Sequence, residues 1–115
     1  MSLDNEKLIQ LPFIDYLKWM SDRLDSISYS KETNNAYYEA REIVDNVIKR
    51  YIKEYNFTND NYHDNEIGNM LRINKVELDD FYKYDKTNKE RSQTISQFKS
   101  DMKDDIGRLI NEIEK

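Results

Sequence analysis

The stretch DNEIGNMLRINKVELDDFYK, residues 64–83, decides how the fold of this chain is interpreted. Gly68 lacks a side chain, which permits two backbones to approach closely at that point. The spacing predicts two short helices, with the second beginning near Asn74. The side chains expected to pack between them are the apolar ones, Ile67, Leu71, Ile73, Leu78 and Phe81.

This arrangement resembles the helix-turn-helix unit of bacterial and phage regulators. The resemblance covers residues 64–83 of a chain of 115 residues. Arg72 departs from the pattern, because it stands at the turn position where the motif usually has Gly. A helix-turn-helix places its second helix in the major groove of DNA. The resemblance therefore implies groove contacts from Asn74, Lys75, Val76 and Lys83 and phosphate contacts from Lys83, Lys86, Lys89 and Arg91.

The charge of the chain disagrees with that implication. The net charge is −5 and the sequence pI is about 4.9. The helix expected in the groove also carries Asp79 and Asp80, whereas affinity for DNA comes mainly from Lys and Arg. These observations favour a protein partner over bare DNA.

Apolar periodicity elsewhere predicts an all-α chain with a single domain over residues 1–115. A first helix is predicted from Pro12 to Ile27, and a second from about Ser30 or Thr33 to Tyr55. A long last helix is predicted over about 88–114, and Thr87 with Glu90 forms a capping-box pattern at its start. With two Gly and one Pro in the chain, turn-dense β structure is disfavoured. The expected architecture is a small bundle of four to five helices.

Patterns of enzymatic, cofactor or metal sites do not occur in this sequence. It has one histidine, no cysteine and no glycine-rich loop. Asp60, Asp64 and Glu66 lack the glycine and the later glutamate of a calcium loop. No apolar run is long enough to span a membrane, so the expected location is the cytoplasm. We therefore expect a protein that is not an enzyme and binds no cofactor.

Aromatic side chains are frequent for so polar a chain, with nine Tyr, four Phe and one Trp. Tyr37 and Tyr38 are adjacent on the second predicted helix, so they cannot both face its core. Partly exposed tyrosine and tryptophan are common anchors of protein interfaces. The predicted interface residues are Trp19, Tyr37, Tyr38, Asp79, Asp80, Tyr82 and Tyr84.

The leading hypothesis is a small acidic interaction protein that regulates or inhibits a protein partner. That partner could be a nucleic-acid-binding protein, whose basic groove would attract carboxylates, and a homodimer is a further possibility. The high content of Asn, Lys, Ile and Tyr matches AT-rich codons and favours a phage or mobile element of a low-GC bacterium. Two alternatives are a helix-turn-helix transcriptional regulator and a small structural subunit of a phage or conjugation assembly.

Overall fold

The computed structural model describes residues 10–83 and 86–115, and every regular element in them is helical. The α-helices are α1 (Phe13–Asp25), α2 (Asn35–Tyr55), α3 (Glu66–Glu77) and α4 (Asn88–Glu114). A short 3₁₀ helix, Tyr62–Asp64, precedes α3, and a second one, Leu78–Tyr82, follows α3 directly. The fold is a small all-α bundle.

Helix α4 is the element against which the other three α-helices pack. Its apolar stripe is buried as the sequence predicts, and Glu90 and Thr87 form the capping box at its start. Helix α1 begins directly after Pro12, and α2 ends at Tyr55, as expected. The buried side chains of α4 that form the centre of the core are Ile95, Phe98, Met102, Ile106 and Leu109.

The predicted turn at Arg72 does not exist, and the expectation of a second helix beginning near Asn74 is wrong. Residues Glu66–Glu77 form one unbroken α-helix that the 3₁₀ helix continues. Arg is a good helix former, and the segment from Met70 to Glu77 contains no Gly or Pro to end the helix. A helix therefore continues through the position where the motif would turn.

The unbroken helix changes which side chains of α3 face the core. Two successive helical positions differ by about 100°, so Ile73 cannot share a face with Leu71, two positions before it. Ile73 is consequently exposed, contrary to its expected packing, while Asn74 is buried. Leu78 and Phe81 are buried as predicted.

Gly68 does mark a close approach of two backbones, but its neighbour is not a second helix. A Cβ at this position would lie 1.7 Å from the carbonyl oxygen of Tyr62 in the preceding 3₁₀ helix. Asn65 fixes this corner, because its side chain accepts from the Gly68 N–H at 2.9 Å and donates to Tyr62 O at 3.1 Å. The hydroxyl of Tyr51 donates to the Asn65 side chain at 2.7 Å, which ties α2 to the start of α3.

Candidate protein-interaction surface

A row of exposed side chains runs along α3 and its 3₁₀ extension. Ile73, Val76, Asp79 and Tyr82 follow one another at intervals of three residues, so each lies near the next one, on the neighbouring turn. The row winds gradually around the helix, because three positions of an α-helix turn by about 300°. The exposed fractions of the three apolar members are 37% for Ile73, 52% for Val76 and 47% for Tyr82. We call Ile73, Val76, Tyr82 and the adjoining Tyr38 the apolar ridge.

Tyr38 joins this row from the first turn of α2. It is 61% exposed, and its side chain is hydrogen-bonded to that of Tyr82. Beneath them, the ring of Tyr37 lies 4.6 Å from that of Tyr82 and 5.4 Å from that of Phe81. Burial, followed by the hydrogen bond with Tyr38, raises the pKa of Tyr82 to about 12. The Tyr82 hydroxyl therefore stays neutral at physiological pH, and its ring packs against the rings of Tyr37 and Phe81.

On the α2 side of the ridge, the charges are paired. Lys75 Nζ lies 2.9 Å from Asp45, and the guanidinium of Arg41 lies 3.3 Å from Asp45 and 3.6 Å from Asp79. Arg41 also donates to the Tyr37 hydroxyl at 3.1 Å. Two cations and two carboxylates thus balance one another along the seam between α2 and α3.

On the α4 side, a groove separates α3 and its extension from α4. Its larger part has a volume of about 690 Å³, and a smaller part of about 170 Å³ lies further along the same helix pair. Glu77 lines both parts. We call the two parts together the acidic groove, after its charged lining: Glu77, Asp80, Lys86, Glu90, Asp101, Asp104, Asp105 and Arg108.

Asp105 forms the buried floor of the smaller part. It is 1% exposed and accepts a hydrogen bond from the side-chain amide of Asn74, which is 2% exposed. Burial raises the pKa of Asp105 to about 6, although the Asn74 amide and the charge of Arg108 act in the opposite direction. The smaller part of the groove therefore contains a carboxyl group that loses its proton near pH 6.

Glu77 lies against Asp101 across the acidic groove. Burial and, after it, the contact with Asp101 raise the pKa of Glu77 to about 7. Two carboxyl groups can share a hydrogen bond only when one of them holds a proton. The second oxygen of Glu77, Oε2, is buried and receives no hydrogen bond from any described group.

The structure brings together only some of the predicted interface residues. Tyr38, Tyr82 and Asp79 lie on one surface, and Asp80 is at its edge in an ion pair of 2.7 Å with Lys83. Tyr37 is 9% exposed and serves as support for that surface. Trp19 lies on α1, is half-buried against the core and makes no ring contact with these tyrosines among the described residues. Tyr84 lies outside the described residues.

The predicted DNA-contact residues do not form one exposed positive strip. Asn74 is buried, so its amide is not accessible to a base edge. Lys75 pairs with Asp45, Lys83 with Asp80, and Lys86 with Glu90 at 3.6 Å. The Arg91 side chain donates to Phe81 O at 3.1 Å, and Lys89 is exposed. Most of the side chains predicted to contact DNA thus have partners within the protein.

The sequence pattern does not reveal four residues of this surface. It predicts that Ile73 lies in the core, and it does not group Glu77 with Asp101 and Asp105. A usable signal existed for Ile73, because the interval of three from Ile73 to Val76 and Tyr82 appears once α3 is treated as unbroken. The grouping of Glu77 with Asp101 and Asp105 had no local signal, since it depends on how α3 packs on α4.

Comparison with protein-family models, with curated proteins and with solved structures found no match to this chain. Within residues 10–83 and 86–115, no three or more His, Cys, Asp or Glu side chains are placed to hold a metal ion. Across the same part of the chain, none of the helices combines the length and apolar character needed to cross a membrane. The apolar ridge and the acidic groove are therefore the candidate functional features of the described residues.

Proposed function

We propose that this chain is a small non-catalytic interaction protein that binds a protein partner through the apolar ridge. One observation carries the proposal. Among the described residues, five large apolar side chains are exposed, and four of them, all except Tyr55, form the ridge. Exposed apolar side chains that adjoin one another mark interaction sites more often than scattered ones do.

The construction of the ridge supports this role. The rings of Tyr38 and Tyr82 pack against the buried rings of Tyr37 and Phe81. This packing restricts their rotamers, so that binding costs less side-chain entropy. Interfaces gain most of their affinity from such rigid aromatic anchors. Ile73 and Val76 add exposed apolar area further along the same row of side chains.

The charge beside the ridge favours a basic partner. An acidic regulator or inhibitor of a nucleic-acid-binding protein, as a phage or mobile element would encode, is the form of this function that fits best. The basic surface of such a target would be attracted by the acidic groove before the ridge makes contact.

Site-specific photo-crosslinking in a lysate of the native host tests the proposal. A benzoylphenylalanine residue is placed at Val76 in one variant and at Lys49, an exposed position on α2, in a control variant. We expect one protein to crosslink through Val76 and not through Lys49. The same protein should be lost when Ile73→Ser and Tyr38→Ser are added, whereas Tyr55→Ser should have no effect. An equal crosslinking pattern from both positions would contradict the proposal.

The DNA-binding alternative is judged in a separate measurement. Fluorescence anisotropy with mixed duplex DNA at low and moderate salt is compared for the wild type and a Lys83→Ala, Lys86→Ala variant. Tight binding by the wild type that these changes abolish would favour the DNA regulator. A protein crosslink at Val76 with weak DNA binding supports the interaction protein.

A further inference from the structure

We infer that the acidic groove receives a lysine or arginine side chain of the partner between Glu77 and Asp101. The inference rests on the proposed function, because it names the chemistry of the segment that lies along the ridge. That segment is an amphipathic stretch with apolar side chains on the ridge and a cation in the groove.

The charge of the groove is strongly negative. Six carboxyl groups line it against two cations, Lys86 and Arg108. Lys86 already pairs with Glu90 at 3.6 Å, and Arg108 pairs with Glu66 outside the groove at 3.7 Å. Within the described chain, no ion pair reaches Glu77, Asp101 or Asp104.

Within the groove, a cation is stabilised most strongly at the Glu77–Asp101 pair. Asp80 lies on the same side as Glu77, and Asp105 faces it from α4, so the potential there is set mainly by carboxylates. Glu77 Oε2 has no donor from the described residues. An ammonium offers three N–H donors and a guanidinium five, enough for Oε2 and for the Asp101 carboxylate at once.

The space fits a side chain better than it fits other occupants. The larger part of the groove is open, and the Glu77 end lies next to the Ile73–Val76 side of α3. Nucleic acid would bring phosphates against six carboxyl groups, which is unfavourable. A second copy of this chain is itself acidic, with a net charge of −5. A basic amphipathic segment satisfies both the charge of the groove and the apolar surface beside it.

Binding in this position has a definite proton balance. Because the pKa of Glu77 is about 7, part of the free protein holds a proton on the Glu77–Asp101 pair at pH 7. When a cation takes its place, the proton leaves to solvent and the pair carries two negative charges against the new positive one. No covalent bond forms or breaks apart from this deprotonation. Binding of the basic segment must therefore release a proton and weaken as the pH falls below about 7.

The test uses two synthetic amphipathic helical peptides that differ only in charge. One carries leucine on one face and arginine on the other, and its matched probe has citrulline, a neutral isostere, in place of arginine. Calorimetric titration of the intact protein at pH 7 in two buffers of different ionisation enthalpy gives affinity and proton release. Amide shift mapping shows where each peptide lies.

We expect the arginine peptide to shift signals of Val76, Glu77 and Asp101. It should release about half a proton per complex at pH 7, because Glu77 with a pKa of about 7 is then half protonated in the free protein. A Glu77→Gln, Asp101→Asn variant should bind it at least about tenfold more weakly and release no proton. The control variant Asp22→Asn, Glu114→Gln also replaces two carboxyl groups by amides, at exposed positions elsewhere, and should bind like the wild type.

Each other outcome overturns the inference in an identifiable way. Equal binding of the citrulline peptide at the ridge would show that the groove takes no cation, while the proposed function would stand. An equal loss of affinity in the control variant would show that the overall charge of the protein, and not the groove, attracts the peptide. If neither peptide binds, the groove does not accept basic segments, and the crosslinking experiment still decides the proposed function by itself.

Discussion

The side-chain amide of Asn74 on α3 donates a hydrogen bond to the carboxyl group of Asp105 on α4, and both residues are almost completely buried. Buried polar side chains of this kind are costly unless they satisfy each other. The pair fixes the rotation of α3 against α4, because no neighbouring helical position would bring these two groups together. The same rotation turns Ile73 to solvent and Glu77 into the acidic groove.

Removing the amide should leave the carboxyl group of Asp105 without its donor. We expect Asn74→Ala to lower the free energy of unfolding by about 1–3 kcal/mol. The loss should be larger at pH 8 than at pH 5, because Asp105, with a pKa of about 6, is charged at the higher pH. Urea denaturation at the two pH values measures this. Asn111→Ala, at an exposed position on the same helix as Asp105, is the control and should cost little. Equal losses at both pH values would refute the role given to Asp105.

The stability of the wild type should itself depend on pH. The folded-state pKa of Asp105 is about 6 against an ordinary 3.8, and that of Glu77 is about 7 against 4.5. The folded protein therefore holds these protons more tightly than the unfolded chain does. Their contribution is fully present below the ordinary values and is lost as the pH rises through about 6 and 7.

The free energy of unfolding should thus fall by about 1–3 kcal/mol between pH 5 and pH 8, less than the full shifts imply because Glu77 is partly exposed to solvent. Chemical denaturation across this range measures it. Asp105→Asn should remove the part of the dependence that lies below about pH 6, and Asp22→Asn should leave the dependence unchanged. A stability that rises with pH over this range would contradict the assignment.

The two glycines should respond in opposite ways to substitution by alanine. At Gly68, the added Cβ meets the backbone carbonyl of Tyr62, which cannot move without disturbing the Asn65 corner. We expect Gly68→Ala to destabilise the protein by about 1–3 kcal/mol or more. At Gly107, in the middle of α4, nothing lies within 4 Å of a new Cβ. Gly107→Ala should stabilise by about 1 kcal/mol, since Ala is the better helix former.

Thermal melts followed by circular dichroism distinguish the two effects, with each variant serving as the control for the other. A change of 1 kcal/mol corresponds to a shift of a few degrees in Tm for a chain of this size. A rise in Tm for Gly68→Ala would show that the approach to Tyr62 is not tight.

Phe98 is fully buried on α4, at the centre of the helix on which the others pack. Phe98→Ala should therefore lower the free energy of unfolding by about 3–5 kcal/mol. Ser96→Ala, at an exposed site two residues earlier, is the matched control and should change little. Denaturant titration compares the two, and a Phe98→Ala curve superposed on that of the wild type would exclude α4 from the core.

Local patterns were sufficient for most of the helices. The positions of α1, α2 and α4 follow from apolar spacing and, for α4, from the Thr87–Glu90 capping box, which is formed by residues three apart. The exposure of one member of the Tyr37–Tyr38 pair also follows, because adjacent residues on a helix face different directions. These signals act over one or two turns and are independent of how the helices pack.

The candidate surface needed the tertiary structure. By sequence alone, residues 64–83 favour two short helices, because Ile67, Leu71, Ile73, Leu78 and Phe81 cannot all face the core from a single straight helix. The unbroken α3 leaves Ile73 outside and brings Asn74 inside. This orientation of α3 gives the buried carboxyl group of Asp105 the hydrogen-bond donor that it needs, the Asn74 amide. Asn74 and Asp105 are 31 residues apart along the chain.

The sequence by itself therefore determined the helical class, the central stripe of α4 and the acidic character of the chain, since each of these is a sum of local preferences or of charges. Only the tertiary structure decided the face that α3 presents, and with it the apolar ridge and the contact of Glu77 with Asp101. Helix rotation is set by long-range packing and by the need to satisfy buried polar groups, and no pattern within α3 alone contains that information.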